Sequence, residues 1–480
     1  MRDQATLIGG GPRFDERTHR RFERRLREAV TQARASGESV LVSLTTPAGG
    51  EVDPTAVIAA ARRANDTWFA LEQPDRDRFA IAALGCIRAL EASGEARFSE
   101  LVARWRELSA AALVDPVDGP PGSGLIAVGG FAFAADGGAS PTWEGFSPAS
   151  LIVPEISLAR RGTESYLTLN VDVAADDTAE QLLERVLRTL DRLRTSELPL
   201  LDPAPTGTYR VVSSMPPSHY EEAVARAVER IRAGELEKIV LAREVEVHAP
   251  SDHDVAAVLG LLREAFPACY VFAVGRGDAT FLAASPELLV RRDGQRATTV
   301  ALAGSTRRSA DPSVDAHLGE QLLRSDKDRE ENAIVAKRIA RALRPHSVWV
   351  TAHPEPVVVQ VANIQHLATP IRAQLASPID AIELVGLLHP TPAVGGEPWP
   401  VAEPLIPSLE GLDRGWYAGP VGWTDSNGDG EFCVALRCAH VRGRVARLYA
   451  GCGIVRDSDP AAELAESEVK LAALLPVLAG

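Results

Sequence analysis

Leu236-Glu237-Lys238-Ile239-Val240-Leu241-Ala242-Arg243 sets one lysine at the edge of a run of apolar, strand-forming residues. Alternation along a strand puts Lys238 on the same side as Leu236, Val240 and Ala242. An ammonium there is either solvated at a strand edge or stripped of water against a core, and desolvation moves an amine toward the basicity a general base needs. Working outward, Ala223, Val224, Ala227, Val228 and Ile231 recur at helical spacing, and Gly234 supplies the stop. Strand-like runs follow at 268–274 and 281–291, then helices at 314–323 and 327–343. Strands interleaved with long helices read as α/β (α+β), with much antiparallel pairing.

The residues that give Lys238 a meaning lie downstream. Glu287, in Phe281-Leu-Ala-Ala-Ser-Pro-Glu-Leu-Leu-Val290, follows a turn signal and sits among apolar residues. It reads either as a turn-capping carboxylate or as a buried, protonated general acid. In the helix that opens at Ser325, Asp328 and Glu331 fall one turn apart, and Glu331 precedes the apolar Ile334 and Val335. A carboxylate on that side needs a cation. Near the C-terminus, Ser458 or Asp459 caps a helix with Pro460 in its first turn, and Leu464, Leu471, Leu475 and Leu478 form its packing stripe. Glu463, Glu466 and Lys470 lie on the adjacent face. Carboxylates from these two helices make a hard oxygen site suited to Mg²⁺, or, more plainly, Glu466–Lys470 is a surface ion pair. Tyr417, Arg437, Gly451 and Gly453 offer a cationic anchor and glycines through which backbone N–H groups approach an anion, or, more plainly, a structural ion pair and tight packing. Asp425-Ser-Asn-Gly-Asp-Gly430 opens like an EF-hand loop, but Leu436 stands where the bidentate Glu belongs, so it is a hairpin turn.

The first half is less pointed. The segment 15–35 reads as a charged helix with a solvated face, 40–44 as a strand, 54–65 as a helix, and 78–113 as a long helical region broken at Ser93-Gly94. A loop at 115–124 precedes strands at 126–133, 151–158 and 164–173 and a helix at 178–196. The Pro-rich stretch 198–206 marks the boundary between a structural half, 1–205, and a catalytic region, 206–480. Over 480 residues, 45% hydrophobic and 24% charged content are those of a globular protein. A net charge of −14 argues against nucleic-acid and anionic-membrane binding. Five cysteines without a C-x-x-C pair, no signal-like h-region and no long apolar run point to a cytoplasmic location.

Together LEKIVLAR, FLAASPELL, LAGSTRR, SDKDREEN, NIQHLATPI, LHPTPAVGG, GWYAGPVGW and GCGIV…PAAELAESEVK resemble the chorismate-utilising enzymes, most closely their isochorismate synthase branch. They run in family order over more than half the chain. The resemblance implies the large fold of that family, mainly antiparallel sheets sandwiched with helices, its two halves packed as one unit. It implies an isomerase that converts chorismate to isochorismate with Mg²⁺, for menaquinone or siderophore biosynthesis. Lys238 matches the base that activates water for attack at C2, and Glu287 the acid that protonates the leaving C4 hydroxyl. Glu331 and Glu466 match the metal ligands, with Asp328 and Glu463 near the ion. Arg437, Tyr417, Gly451, Gly453 and Lys470 match contacts to the substrate carboxylates, and Gly304, Ser305 and His366 line the same pocket. Ammonia-using relatives lack the lysine, so Lys238 implies water as nucleophile. Salicylate synthases keep it but differ where this chain reads Pro392-Ala393-Val394, which favours stopping at isochorismate over a salicylate synthase; intact Lys238, Glu287, Glu331 and Glu466 speak against a silent chorismate-binding homologue. Asn332 stands where relatives carry His. No obligate partner is implied, so a monomer or weak homodimer is expected.

Overall fold

The 281–291 run does not form one strand. It breaks at Pro286 into Ala279–Ser285 and Leu288–Asp293, and the two pieces join different sheets. Proline offers no N–H to a ladder, so it marks places where a strand stops pairing. The run 151–158 breaks likewise, at Pro154, into Ala149–Val153 and Ile156–Arg161. The chain also crosses between sheets at 85–87 and at 435–437. The computed structural model describes residues 5–7, 12–49, 51–202, 205–362 and 364–480. Asn363, which opens the NIQHLATPI motif, and Pro203-Ala204 of the Pro-rich stretch lie outside them.

Two sheets result, almost wholly antiparallel. The larger runs, from one edge, Arg210–Ser213, Lys238–His248, Val445–Ile454, Cys438–Arg442, Ala279–Ser285, Tyr270–Gly277, then Asn65–Gln73, Phe79–Leu84, Ile156–Arg161, Glu164–Val173 and Val40–Gly49. Setting aside the short edge strands such as Arg210–Ser213, from its centre outward each half repeats the same order of its own five strands: second, third, penultimate, last, first. Strands from either side of residue 205 pair in both sheets, Tyr270–Gly277 with Asn65–Gln73 in the larger and Pro420–Asp425 with Ile126–Phe131 in the smaller. The fold is thus the mixed α/β sandwich expected, its halves joined through continuous sheets.

Alternation along these strands builds two cores. Phe69, Leu71, Phe79 and Ile81 join Phe131, Val421 and Phe432 in one. Trp68, Ala70, Ala82 and Leu84 join Phe22, Leu26 and Leu182 from the helices Glu16–Ser36 and Ala179–Leu190 in the other. Burial on both faces overturns the expected helix at 78–113. Its first part forms Phe79–Leu84 and Arg88–Ala92, and the helix starts only at Arg97. The alanines of Phe-Ala-Ile-Ala-Ala-Leu favour a helix locally, but every one of these residues is buried in a central strand. Other expectations move at their edges. The 54–65 helix ends at Ala61, and Asn65 opens a strand. The N-terminal helix carries a buried stripe, Phe22, Leu26, Ala29, Val30 and Ala33, opposite its charges. The C-terminal helix stops at Leu471 and resumes as Leu475–Ala479. Residues 425–430 form a hairpin turn between Pro420–Asp425 and Gly430–Val434.

Candidate active site

Two neighbouring sheet crossings place Glu287 and Arg437 on the wall of one cavity. They are stitched together: Val434 N–H donates to Glu287 O at 3.0 Å, Ala284 N–H to Arg437 O at 3.1 Å, and Ser285 Oγ to Val434 O at 2.5 Å. Arg437 takes φ of +49°, a left-handed conformation that turns the chain between sheets. The Glu287 side chain is buried and, among the described residues, makes no ion pair. Burial pushes its carboxyl up to about 8, although the Lys238 and Arg437 charges pull the other way. At neutral pH it holds a proton it can donate.

Lys238 opens its strand and is 0% exposed. Its ammonium lies 2.8 Å from Glu331 Oε1, without the alignment of a hydrogen bond. So the lysine is desolvated, as one reading of its strand required, and Glu331 on the helix Asp326–Leu343 compensates it. Gly453 faces this pair across the ladder, opposite Val240. A Cβ at Gly453 would lie 2.2 Å from Glu331 Oε1 and 2.8 Å from Lys238 Cε. The glycine therefore makes room for the base and its counter-ion. Val240 and Ala242 bond to Gly395 O and Glu410 on their other edge, so their partners Gly453 and Gly451 turn their polar groups outward too. There Lys470 Nζ donates to Gly451 O at 2.9 Å.

Asp328, Glu331, Glu463 and Glu466 line the same cavity from two facing helices. Glu466 accepts from Ser305 Oγ at 2.8 Å and pairs with Lys470 at 2.8 Å. Burial opposes its charge, yet Lys470 and Ser305 hold it down to about 2. Glu463 and Asp328 are both pushed up, by burial and by the neighbouring carboxylates. Such a crowded set of oxygen donors fits a hard divalent cation such as Mg²⁺. Cys452 reaches the same cluster as Glu463 and Glu466. Burial pushes its thiol up to about 12, which keeps it protonated and outside a Mg²⁺ ligand set.

Opposite the acids, Arg437 Nη2 contacts His366 Nε2 at 3.0 Å, and Arg437 Nε has no hydrogen-bond partner. Burial and the Arg437 charge keep His366 well below its ordinary value, hence neutral and able to accept. Tyr417 stacks on Tyr449 with ring centroids 5.2 Å apart, and its hydroxyl would lie 2.8 Å from a Cβ at Gly451. A profile of the family described as chorismate binding enzyme matches residues 28–479. The chain belongs to that family.

Two curated relatives align with nearly the whole length of the chain. The chain is 38% identical over 458 residues to the Pseudomonas aeruginosa protein named salicylate biosynthesis isochorismate synthase, covering 95% of this chain and 93% of that one. Isochorismate synthase MenF of Bacillus subtilis is 30% identical over 472 residues, 96% and 98% of the two chains. The solved structure of MenF, the menaquinone-specific isochorismate synthase from Escherichia coli, matches with a TM-score of 0.75 at 27% identity, covering 94% of this chain and 100% of that one. Anthranilate synthase component I from Streptococcus pneumoniae, with a TM-score of 0.65 at 20% identity over 82% of this chain and 91% of that one, shares the fold.

In this chorismate-binding fold every expected site residue except Lys238 lines the one cavity, and Lys238 lies behind it against Glu331. Gly304, with φ of +81°, sits where a Cβ would meet Asp328 Cβ at 2.9 Å, so it lets the acidic helix approach. Asn332 is not a gap in the site's support. Its Nδ2 donates to Ala301 O, Ala303 O and Leu367 O, and its Oδ1 accepts from Thr369 at 2.6 Å. It thereby ties the Glu331 helix to the irregular strand that carries Gly304 and Ser305. Sequence reasoning missed Lys327, Glu410 and Arg414. Glu410 and Arg414 form a buried pair that bonds Ala242 N, Val240 O and Val394 O behind the Lys238 strand. Their i, i+4 spacing was the available signal.

Proposed function

We propose that the chain is an isochorismate synthase, moving the hydroxyl of chorismate from C4 to C2. The observation that carries this is a protonated glutamate on a cavity wall that also holds an Arg–Lys anion site, with a desolvated lysine directly behind that wall. Lys238, deprotonated, takes a proton from a water molecule as its oxygen bonds to C2. Electrons shift through the ring, and Glu287 gives its proton to the C4 hydroxyl as that leaves as water. One water enters and one departs, so substrate and product are isomers. Arg437, Tyr417 and Lys470 orient the carboxylates, and the apolar Ala393 and Val394 close the wall. Glu331 and Glu466 would hold Mg²⁺, with Asp328 and Glu463 near it, and the ion would neutralise a substrate carboxylate. Chorismate incubated with the protein and Mg²⁺ should give isochorismate by chromatography. Salicylate and pyruvate as the main products at neutral pH would refute this reading in favour of a salicylate synthase. Measurable chorismate binding without turnover would refute it in favour of a silent binding protein.

A further inference from the structure

Lysine is scarce in this chain. There are four, at 238, 327, 337 and 470, against 47 arginines. Three of the four meet at the candidate site, each against its own glutamate: Lys238–Glu331 at 2.8 Å, Lys327–Glu463 at 3.0 Å and Lys470–Glu466 at 2.8 Å. Elsewhere the chain uses arginine for its ion pairs, down to the buried Arg414–Glu410 at 2.5 Å. A guanidinium grips a carboxylate through a planar fork, whereas an ammonium is a compact charge on a flexible stem. The site thus keeps lysine where a carboxylate must be held and also let go.

Lys238 and Lys470 have roles in the reaction proposed above; Lys327 has none. It stands in the first turn of Asp326–Leu343 and reaches across to Glu463 on Pro460–Leu471, joining the two helices that carry the acids. The Glu463 side chain is 3% exposed and that of Lys327 41%, so the cation lies over the carboxylate on the solvent side. With the three pairs made, the cavity is about 70 Å³, well below the roughly 300–1,000 Å³ of small-molecule sites. Opening these pairs would enlarge it.

We infer that Lys327 is an exchangeable counter-ion: it neutralises the acidic cluster through Glu463 while no divalent cation is bound, and it yields when one binds. The inference rests on the Mg²⁺ site of the proposed function. It predicts that Lys327 opposes metal binding in the absence of substrate.

The test is Mg²⁺ titration by calorimetry, or Mn²⁺ titration by electron paramagnetic resonance, on wild type, Lys327→Gln and Lys337→Gln without chorismate. Lys327→Gln keeps an N–H donor for Glu463 and removes the charge, so metal affinity should rise about ten-fold or more. Lys337, exposed on the same helix, is the control and should leave affinity within about two-fold. Lys327→Met leaves Glu463 without its cation; its melting temperature should fall without Mg²⁺ and recover with it. Unchanged or weaker metal affinity in Lys327→Gln, or a Lys327→Met defect that Mg²⁺ does not reverse, overturns the inference. Wild type that binds metal but makes no isochorismate would refute the reaction and leave this inference standing.

Discussion

Glu287→Gln should stabilise the protein while abolishing turnover, and the stabilisation should grow with pH. The Glu287 carboxyl stands at about 8 against an ordinary 4.5, because burial disfavours the carboxylate. The folded state therefore keeps a proton that the unfolded chain loses above 4.5. Where the folded state binds more protons, stability falls as pH rises, here by about 1.4 kcal/mol per unit between 4.5 and 8. By pH 7 that is about 3 kcal/mol, and above 8 it levels at about 5 kcal/mol. Glutamine does not titrate, so the gap between variant and wild type should widen along this slope. At about 2.1 cal/mol/K per residue, unfolding 480 residues carries about 1 kcal/mol/K, so the melting-temperature gap should grow by about 4 °C from pH 5 to pH 8. Matched calorimetric scans at each pH measure it, and comparison within one pH cancels the other titrating groups. Wild-type kcat should decline above about pH 8 as Glu287 loses its proton, and the variant should lose about 10²–10⁴-fold in rate. A gap that stays flat from pH 5 to pH 8 would refute the burial argument, and wild-type turnover in the variant would refute the acid role.

Gly453→Ala should cost at least about 100-fold in kcat but only about 1–3 kcal/mol in stability, since its Cβ, 2.2 Å from Glu331 Oε1, displaces the Lys238–Glu331 pair rather than the core. Steady-state kinetics beside a thermal melt separate the two, and a rate within ten-fold of wild type would show that the pair tolerates displacement. Arg437→Gln should raise KM for chorismate by about 10–100-fold, the worth of a charge-assisted hydrogen bond at 1.5–3 kcal/mol, with a smaller change in kcat. An unchanged KM would mean that the free Arg437 Nε does not meet the substrate.

The residues that line the cavity were more legible in the sequence than the strands around them. Two helix starts in the second half followed from caps that sequence shows directly, with Ser325 and Asp459 each accepting from the first turn. The strands at 79–84 and 88–92 were hidden because Phe-Ala-Ile-Ala-Ala-Leu is buried on both faces, which erases the alternation that marks a strand. Sheet membership was hidden as well, since Pro286 and Pro154 announce a break but not that the chain changes layers there. Spacing put Glu331 and Glu466 on their helices, yet nothing local told that Lys238 would meet Glu331, 93 positions away. The family motifs put both residues at one site but not in one ion pair; periodicity did neither.

The two halves show why motif and fold had to be read separately. In the N-terminal half the chain crosses between sheets at Gly85-Cys86-Ile87 and at Pro154-Glu155, in the same order relative to its strands as the crossings at Glu287 and Arg437. Those crossings also touch, since Ile87 N–H donates to Val153 O at 2.8 Å and a Cβ at Gly85 would lie 2.7 Å from Glu155 Cβ. Yet Glu155 accepts from Thr189 at 2.8 Å and Cys86 is exposed. The same backbone device is present twice, and one copy carries the proposed site. What differs is that the second copy sets a carboxyl with no counter-ion beside a lysine that has one. Burial alone raises Glu287, while Glu331 compensates the charge of Lys238, so the acid proposed here is the group that has no partner.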